Sequence, residues 1–212
     1  IPYYVMNFKK EFKANVMDYF VDEYLHGRTP NPCIACNRYV KWESLLQRSL
    51  AIGADYIATG HYARIEQLPN GRYAIRNSVT AAKDQTYALY NLTQDQLSKT
   101  LMPVGEYAKD QIRAMADEIG LLVAHKPDSQ GICFLGKINY NDFLRRFLGE
   151  KEGAVIEVET GKRIGTHKGY WFHTIGQRKG LGLSGGPWFV IRKDIDENLI
   201  YVSRGYNTEK QY

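Results

Sequence analysis

The chain is poor in several residue types: its 212 residues include only three cysteines, seven prolines, four methionines and three tryptophans. Three thiols are too few, and odd in number, for the disulfide framework of a small secreted domain. They read as reduced side chains that pack, react or bind metal. Few prolines and no repeat exclude collagen-like and low-complexity chains. Long apolar runs are missing too. The longest have Arg, Lys or His within a few residues, far short of the roughly 20 apolar residues a bilayer helix needs. Nothing at the N-terminus reads as a signal peptide. These absences predict a cytoplasmic protein without a membrane partner. An acidic excess is also lacking: 28 Lys and Arg face 23 Asp and Glu, giving a net charge of +5. That balance favours polyanionic partners such as nucleic acid without selecting among them. What remains, 44% apolar residues at a mean hydropathy of −0.43, suffices for a core and for one large or two small domains.

Along the chain, IPYYVMNF reads as an apolar strand, as though the chain were cut inside a sheet. A helix is predicted from about Lys9 to Tyr24, with Phe8, Phe12, Val16, Tyr19 or Phe20, and Tyr24 on one stripe and Gly27 as its stop. In GRTPNPC, Pro30 and Pro32 are expected to deny the backbone a helix until Cys36; a second helix follows from Arg38 to Ala51. DYIATGHYARI reads as a strand, YARIEQ and GRYAIRN as a hairpin around LPNG, and Thr93–Leu101 and Ala108–Ile119 as helices. After a short helix near Asn141–Leu148 the pattern turns to short strands and glycine turns. The predicted division is an α/β domain over 1–144, a small β-rich domain over 145–204, and the start of a further β-barrel over 205–212.

Cys33 and Cys36 form a C-x-x-C pair, weak by itself because zinc sites show a second pair or histidines at ligand spacing. Three thiols could instead hold an iron–sulfur cluster with one open iron, or carry sulfur by thiol exchange. At a helix start, Cys36 would have its thiolate favoured by the helix dipole and by Arg38, lowering its pKa. Cys133 follows the small polar run S-Q-G and could approach it.

Five segments in order, GRTPNPCIACNRYVKW, ADYIATGHYAR, AAKDQTYALYNL, PDSQGICFLG and YWFHTIGQRKGLGL, resemble the bacterial and organellar tRNA-specific 2-thiouridylases through nearly the whole chain. The resemblance implies a PP-loop ATPase-type (adenine nucleotide alpha-hydrolase-like) α/β domain, then a small β-rich central domain, then a C-terminal barrel. It implies sulfur transfer to C2 of the wobble uridine: ATP, with Mg, adenylates the C2 oxygen, and a persulfide sulfur attacks the carbon. In that pattern Cys133 carries a persulfide received from a sulfur-relay or cysteine desulfurase protein. Cys36 releases the sulfur and forms a transient disulfide with Cys133. Asn31, Pro32 and Cys33 match a segment touching the target base, Lys83, Asp84 and Gln85 a second tRNA contact, and Gly60 an ATP contact.

Two departures qualify this pattern. The family's SGG-x-DS phosphate loop is missing; the only SGG, Ser184–Gly186, precedes Pro187 and Trp188 and reads as a turn. The expectation is therefore an internal fragment, truncated at its N-terminus, that does not use ATP alone and exposes apolar surface. Many members also have Asp where this chain has Cys33. That keeps open a cluster held by Cys33, Cys36 and Cys133 with hydrosulfide on the open iron. A non-catalytic RNA-binding module is the other alternative. His61 reads as structural, and His173, Gln177, Arg178 and Lys179 with their glycines as a loop meeting phosphates.

Overall fold

The computed structural model describes residues 3–127, 131–136 and 138–205. They form two units, Ile1–Met17 with Asn31–Cys133, and Asp18–Pro30 with Phe134–Tyr212. The expected terminal barrel falls almost wholly outside the described residues.

In the first unit, the helical run over 9–25, α1, begins with Lys9–Phe12 and continues as π-helix over Lys13–Asp18. A second run, α2, covers 32–51: α-helical Pro32–Ala35, π-helical Cys36–Leu45, α-helical Leu46–Ala51. Here the sequence expectation is corrected. Pro32 does not delay the helix; it sits in the first turn, where its missing N–H costs nothing and its fixed φ suits the helix. Asn31 caps the turn, its Oδ1 accepting from the Cys33 N–H at 3.0 Å. The two runs are joined within this unit by Arg48, which donates to Glu11 at 2.7 Å and to the Asn7 carbonyl at 2.9 Å.

Strands β1 (Ile57–Ala58) and β4 (Thr100–Leu101) pair in parallel, and β2 (Ala63–Gln67) and β3 (Tyr73–Asn77) form the expected antiparallel hairpin. The predicted helix 93–101 is shorter. Thr93 and Gln96 close a capping box on α3 (Gln94–Ser98), and Thr100 then leaves for the sheet, where its hydroxyl accepts from Trp42 Nε1 at 2.7 Å. That bond lets Trp42 be buried at 1% exposure among Leu46, Ile57, Ala63, Leu89 and Met102. At Gly105 a Cβ would lie 1.8 Å from the Ala63 carbonyl oxygen, so only glycine lets that segment pass. Helix α4 (Lys109–Glu118) ends at Ile119.

In the second unit the Tyr19–Leu25 part of the first helical run packs its Phe20 and Tyr24 rings edge-on against Tyr140, with Phe143 against Phe20. Tyr140 and Phe143 belong to α5 (Tyr140–Leu148). The end of the Tyr19–Leu25 helix is held by side chains distant in sequence: Tyr170 donates to the Leu25 carbonyl and Lys193 Nζ to the Gly27 carbonyl at 2.9 Å. A four-stranded sheet runs β6-β5-β8-β7, built from β5 (Gly153–Glu157), β6 (Arg163–His167), β7 (Phe189–Asp194) and β8 (Leu199–Ser203). Only the central β5–β8 pair is parallel. Val155, Val190, Ile191, Ile200 and Val202 are buried on it.

Candidate active site

The three thiols converge in the first unit. Cys33 sits in the opening turn of α2, Cys36 one turn on, and Cys133 opens a 3₁₀ turn, Cys133–Leu135. Cys33 and Cys133 are exposed, Cys36 half-buried, and all three are free. The Cys36–Cys133 disulfide implied by the resemblance is thus no standing bond of this fold.

Their electrostatics overturn one expectation. Cys36 is not at the helix start but beyond the first turn, where the dipole's positive end has faded. Its pKa is raised: burial is the main cause, the Lys41 ammonium opposes it, and the charges of Cys133 and Cys33 add to it. The Cys33 thiol is raised as well, by burial and then by Cys133, against Lys41. Arg38 is not the cation serving the thiols; its guanidinium lies 4.9 Å over the Tyr39 ring and 3.7 Å from Glu43.

Lys41, whose ammonium favours the Cys33 and Cys36 thiolates, is the candidate the sequence reading missed. A π-helical stretch takes about one more residue per turn than an α-helix, which brings positions five apart, such as 36 and 41, toward one face. Recognising it required the helix type, which the letters CNRYVKW do not announce. Lys41 Nζ lies 3.5 Å from His61 Nε2, and His61 Nδ1 lies 2.9 Å from Thr59 Oγ1. An ammonium can only donate, so Nε2 accepts and the ring proton sits on Nδ1, directed at Thr59. Burial, then Lys41, pushes the His61 pKa down to about 4, so the imidazole is neutral. The ring also lies 5.5 Å from that of Trp42. His61, read from the sequence as structural, thus accepts from the cation that lies beside Cys33 and Cys36.

Gly60 follows β1 at the carboxyl end of the parallel pair, where ligands of open α/β sheets gather. It is exposed, and a Cβ there would meet nothing within 4 Å. Asp84 and Gln85 are already engaged within the chain. Asp84 accepts from the Ser78 and Thr86 N–H groups at 2.8 and 3.0 Å and from the Thr86 hydroxyl. Burial raises its pKa, but these bonds outweigh it and leave the carboxyl below its usual range. Gln85 Oε1 accepts from the Tyr62 N–H, while the Gln85 N–H donates to the Tyr62 carbonyl, both at 3.0 Å. Both residues thus brace the segment carrying Gly60 and His61, whereas Lys83 is exposed.

The iron–sulfur alternative meets a mismatch: among the described residues no group of three or more His, Cys, Asp or Glu side chains is placed to hold a metal ion. The thiols are neighbours without being a ready ligand set. Among the same residues no helix is long and apolar enough to cross a membrane. Asp128, Ser129 and Gln130, ahead of Cys133, lie outside the described residues.

The family described as tRNA methyl transferase HUP domain matches residues 1–137, and that described as tRNA methyl transferase PRC-barrel domain matches residues 141–204. The tRNA-specific 2-thiouridylase MnmA of Lachnoclostridium phytofermentans is 65% identical over 205 residues, covering 95% of this chain and 57% of the relative. MnmA 1 of Bacteroides thetaiotaomicron is 53% identical over 209 residues, 98% of this chain and 58% of the relative. MnmA of Acetivibrio thermocellus is 53% identical over 206 residues, 95% of this chain and 57% of the relative. The chain thus spans somewhat over half the length of these relatives. With a HUP domain, the PP-loop ATPase type, followed by a small barrel-like domain, it belongs to the tRNA-specific 2-thiouridylase family.

Proposed function

We propose that this chain carries the sulfur-transfer site of an ATP-dependent tRNA uridine 2-sulfurtransferase. The observation behind the reading is the grouping of Cys33, Cys36 and Cys133, with the Cys133 thiol near enough to the other two to oppose their ionisation and the Lys41 ammonium beside Cys33 and Cys36. Cys133, exposed, receives a persulfide from a sulfur-relay or desulfurase protein. Its outer sulfur bonds to C2 of the wobble uridine, and the C2–O bond breaks. ATP, when bound near Gly60, activates that oxygen as a leaving group. The Cys36 thiolate attacks the inner sulfur of Cys133, breaking the S–S bond to the transferred sulfur and forming the Cys36–Cys133 disulfide. An external thiol then reduces that disulfide by two electrons. Lys41 steadies the Cys36 thiolate against burial. Asn31, Pro32 and Cys33 meet the target base, and Lys83 meets the tRNA beside the brace formed by Asp84 and Gln85.

The domain division that goes with this reading is 1–144 for the nucleotide and thiol chemistry and 145–204 for a β-rich RNA-binding part. Because the sequence holds no SGG-x-DS loop, the 212 residues by themselves should not convert ATP.

The test is mass spectrometry of the chain after incubation with a cysteine desulfurase and cysteine. A gain of one sulfur on Cys133 is the expected result, held in Cys36→Ala and, where Cys36 is present, released as hydrosulfide as the Cys36–Cys133 disulfide forms, with no external thiol added. No gain on any thiol would sink the reading. Methyl transfer, which the descriptions of the matching domains mention, is separated by the mass of the product tRNA made by an enzyme containing this chain: sulfur for oxygen, or an added methyl.

A further inference from the structure

A cavity of about 460 Å³ lies within the second unit, between α5, the end of β6 and the glycine-bent loop 176–182. Three cations line it, Arg145, Lys168 and Lys179, and no carboxylate does. Two of them are tied from behind: Arg145 to Asp142 and Glu150, Lys168 to Glu150 at 3.5 Å. Lys179 has no charged partner among the described residues. The rim is thus fixed in place yet keeps about one uncommitted positive charge.

The main chain adds donors. Gly180 and Gly182 have φ of +77° and +65°, while Lys179 and Leu181 between and before them do not. Alternation of this kind turns successive N–H groups toward one side, the arrangement that cradles anions. Among the described residues, the N–H groups of Lys179, Gly180, Leu181 and Gly182 make no hydrogen bond. Gln177 holds the loop's shape: its Oε1 accepts from the Thr174 N–H at 3.0 Å, and its Nε2 donates to the Lys179 carbonyl at 2.9 Å.

The remaining wall is neutral and polar. His167 and His173 are 6% and 7% exposed, and His173 Nδ1 is buried without a partner. His167 Nδ1 accepts from the Gly169 N–H at 3.0 Å, so its proton is on Nε2, which is turned to the backbone of Gly153 and Asn198, and His173 Nδ1 alone is left as the orphaned atom of this wall. A buried polar atom left unpaired costs about 1–3 kcal/mol, a loss that a bound polar ligand can relieve.

From the free amides, the uncommitted Lys179 and the carboxylate-free lining we infer that this cavity is a phosphate-binding site that takes a single phosphodiester of the RNA backbone. One free cation and a short run of amides suit one phosphate group, and the volume accommodates the attached ribose. The inference rests on tRNA being the substrate in the reading above, but not on the thiol chemistry.

The experiment titrates the ¹⁵N-labelled 212-residue chain with inorganic phosphate, then with an unmodified tRNA transcript, and measures tRNA binding against salt for the wild type and Lys179→Glu. Expected are saturable shifts of the amides at 179–182 with both ligands. For Lys179→Glu, tRNA binding should weaken several-fold and the slope of log K against log salt should fall by about one. Gly182→Ala, which keeps every charge but strains the loop, should blunt the phosphate-induced shifts. A wild-type slope in Lys179→Glu with tRNA still bound overturns the cavity while leaving tRNA as substrate. Amide shifts with phosphate alone, unaffected by tRNA that binds, identify a free-phosphate site and overturn the RNA assignment. If the chain binds no tRNA at all, the RNA assignment also fails. In each case the sulfur test on Cys133 and Cys36 stands or falls separately.

Discussion

The thiol site of the first unit and the cation-rimmed cavity of the second both take polar groups out of water, but they leave different things unsatisfied. Around Cys36 the shortage is of charge: the one ammonium, Lys41, serves both Cys33 and Cys36, and burial and the neighbouring thiols hold both of those groups up. Around His173 the shortage is of hydrogen bonds, with neutral imidazoles and free amides facing a space that cations already rim. The first arrangement suits thiols that ionise one at a time. The second suits a ligand that arrives already charged.

The largest effect that would break this contrast is chemical. If the proposed function holds, Cys36→Ala or Cys133→Ala in an enzyme containing this chain should each abolish 2-thiouridine formation, and the double variant should be no worse, as for residues that act as a unit. Mercury-gel analysis of the tRNA product measures it. Equal loss from Lys179→Glu at saturating tRNA would erase the distinction between the sites.

Next in size is packing. Gly105→Ala drives a methyl into the Ala63 carbonyl and should cost about 3 kcal/mol, because backbone rather than a movable side chain must yield. Gly182→Ala has empty space around it and should cost only about 1–2 kcal/mol, from its left-handed backbone. Urea denaturation compares the two.

Acid should sharpen the contrast further. His173 is pushed down to about 4 by burial, then by His167 and Lys193, and His167 is itself lowered by burial. In the unfolded chain both titrate near 6.5, so between that pH and about 4 the unfolded state binds more protons and stability falls on acidification. The slope is about 1.4 kcal/mol per pH unit for each fully neutral imidazole. The first unit carries one such group, His61, against two in the second. Hydrogen exchange at pH 5 should therefore show the larger loss of protection in the sheet of β5 to β8.

Smallest is the effect of Lys41→Met, a several-fold slower alkylation of Cys36 by iodoacetamide at neutral pH, since the one charge favouring the thiolate is gone. Lys41→Arg should restore most of the rate. An unchanged pH profile in Lys41→Met would remove Lys41 from the site.

Much of this was legible in the letters. Period and punctuation located the helix from Lys9, the hairpin around LPNG and the late β-rich sheet, because each rests on local pattern. The three thiols were legible as a set. Their charge partner was not: Arg38 is nearer Cys36 in sequence, but only the π-helical register of 36–45 decides that Lys41 serves the thiols while Arg38 faces Glu43. The helix start was misread because Pro32 was taken as a breaker rather than as a first-turn residue. The use of Asp84 and Gln85 as braces depends on Ser78 and Tyr62, distant partners that a short motif cannot reveal.

The cap on α2 also limits what its own residue can read. Asn31 directs its carboxamide oxygen to the Cys33 amide, which leaves the NH₂ end as the part able to address a visitor. So oriented, its free end donates. If Asn31 meets the target base as proposed, O4 of uracil could accept from that NH₂, whereas the exocyclic amine that cytosine carries at the same position would meet it hydrogen to hydrogen, and a helix terminus would then favour one pyrimidine over the other.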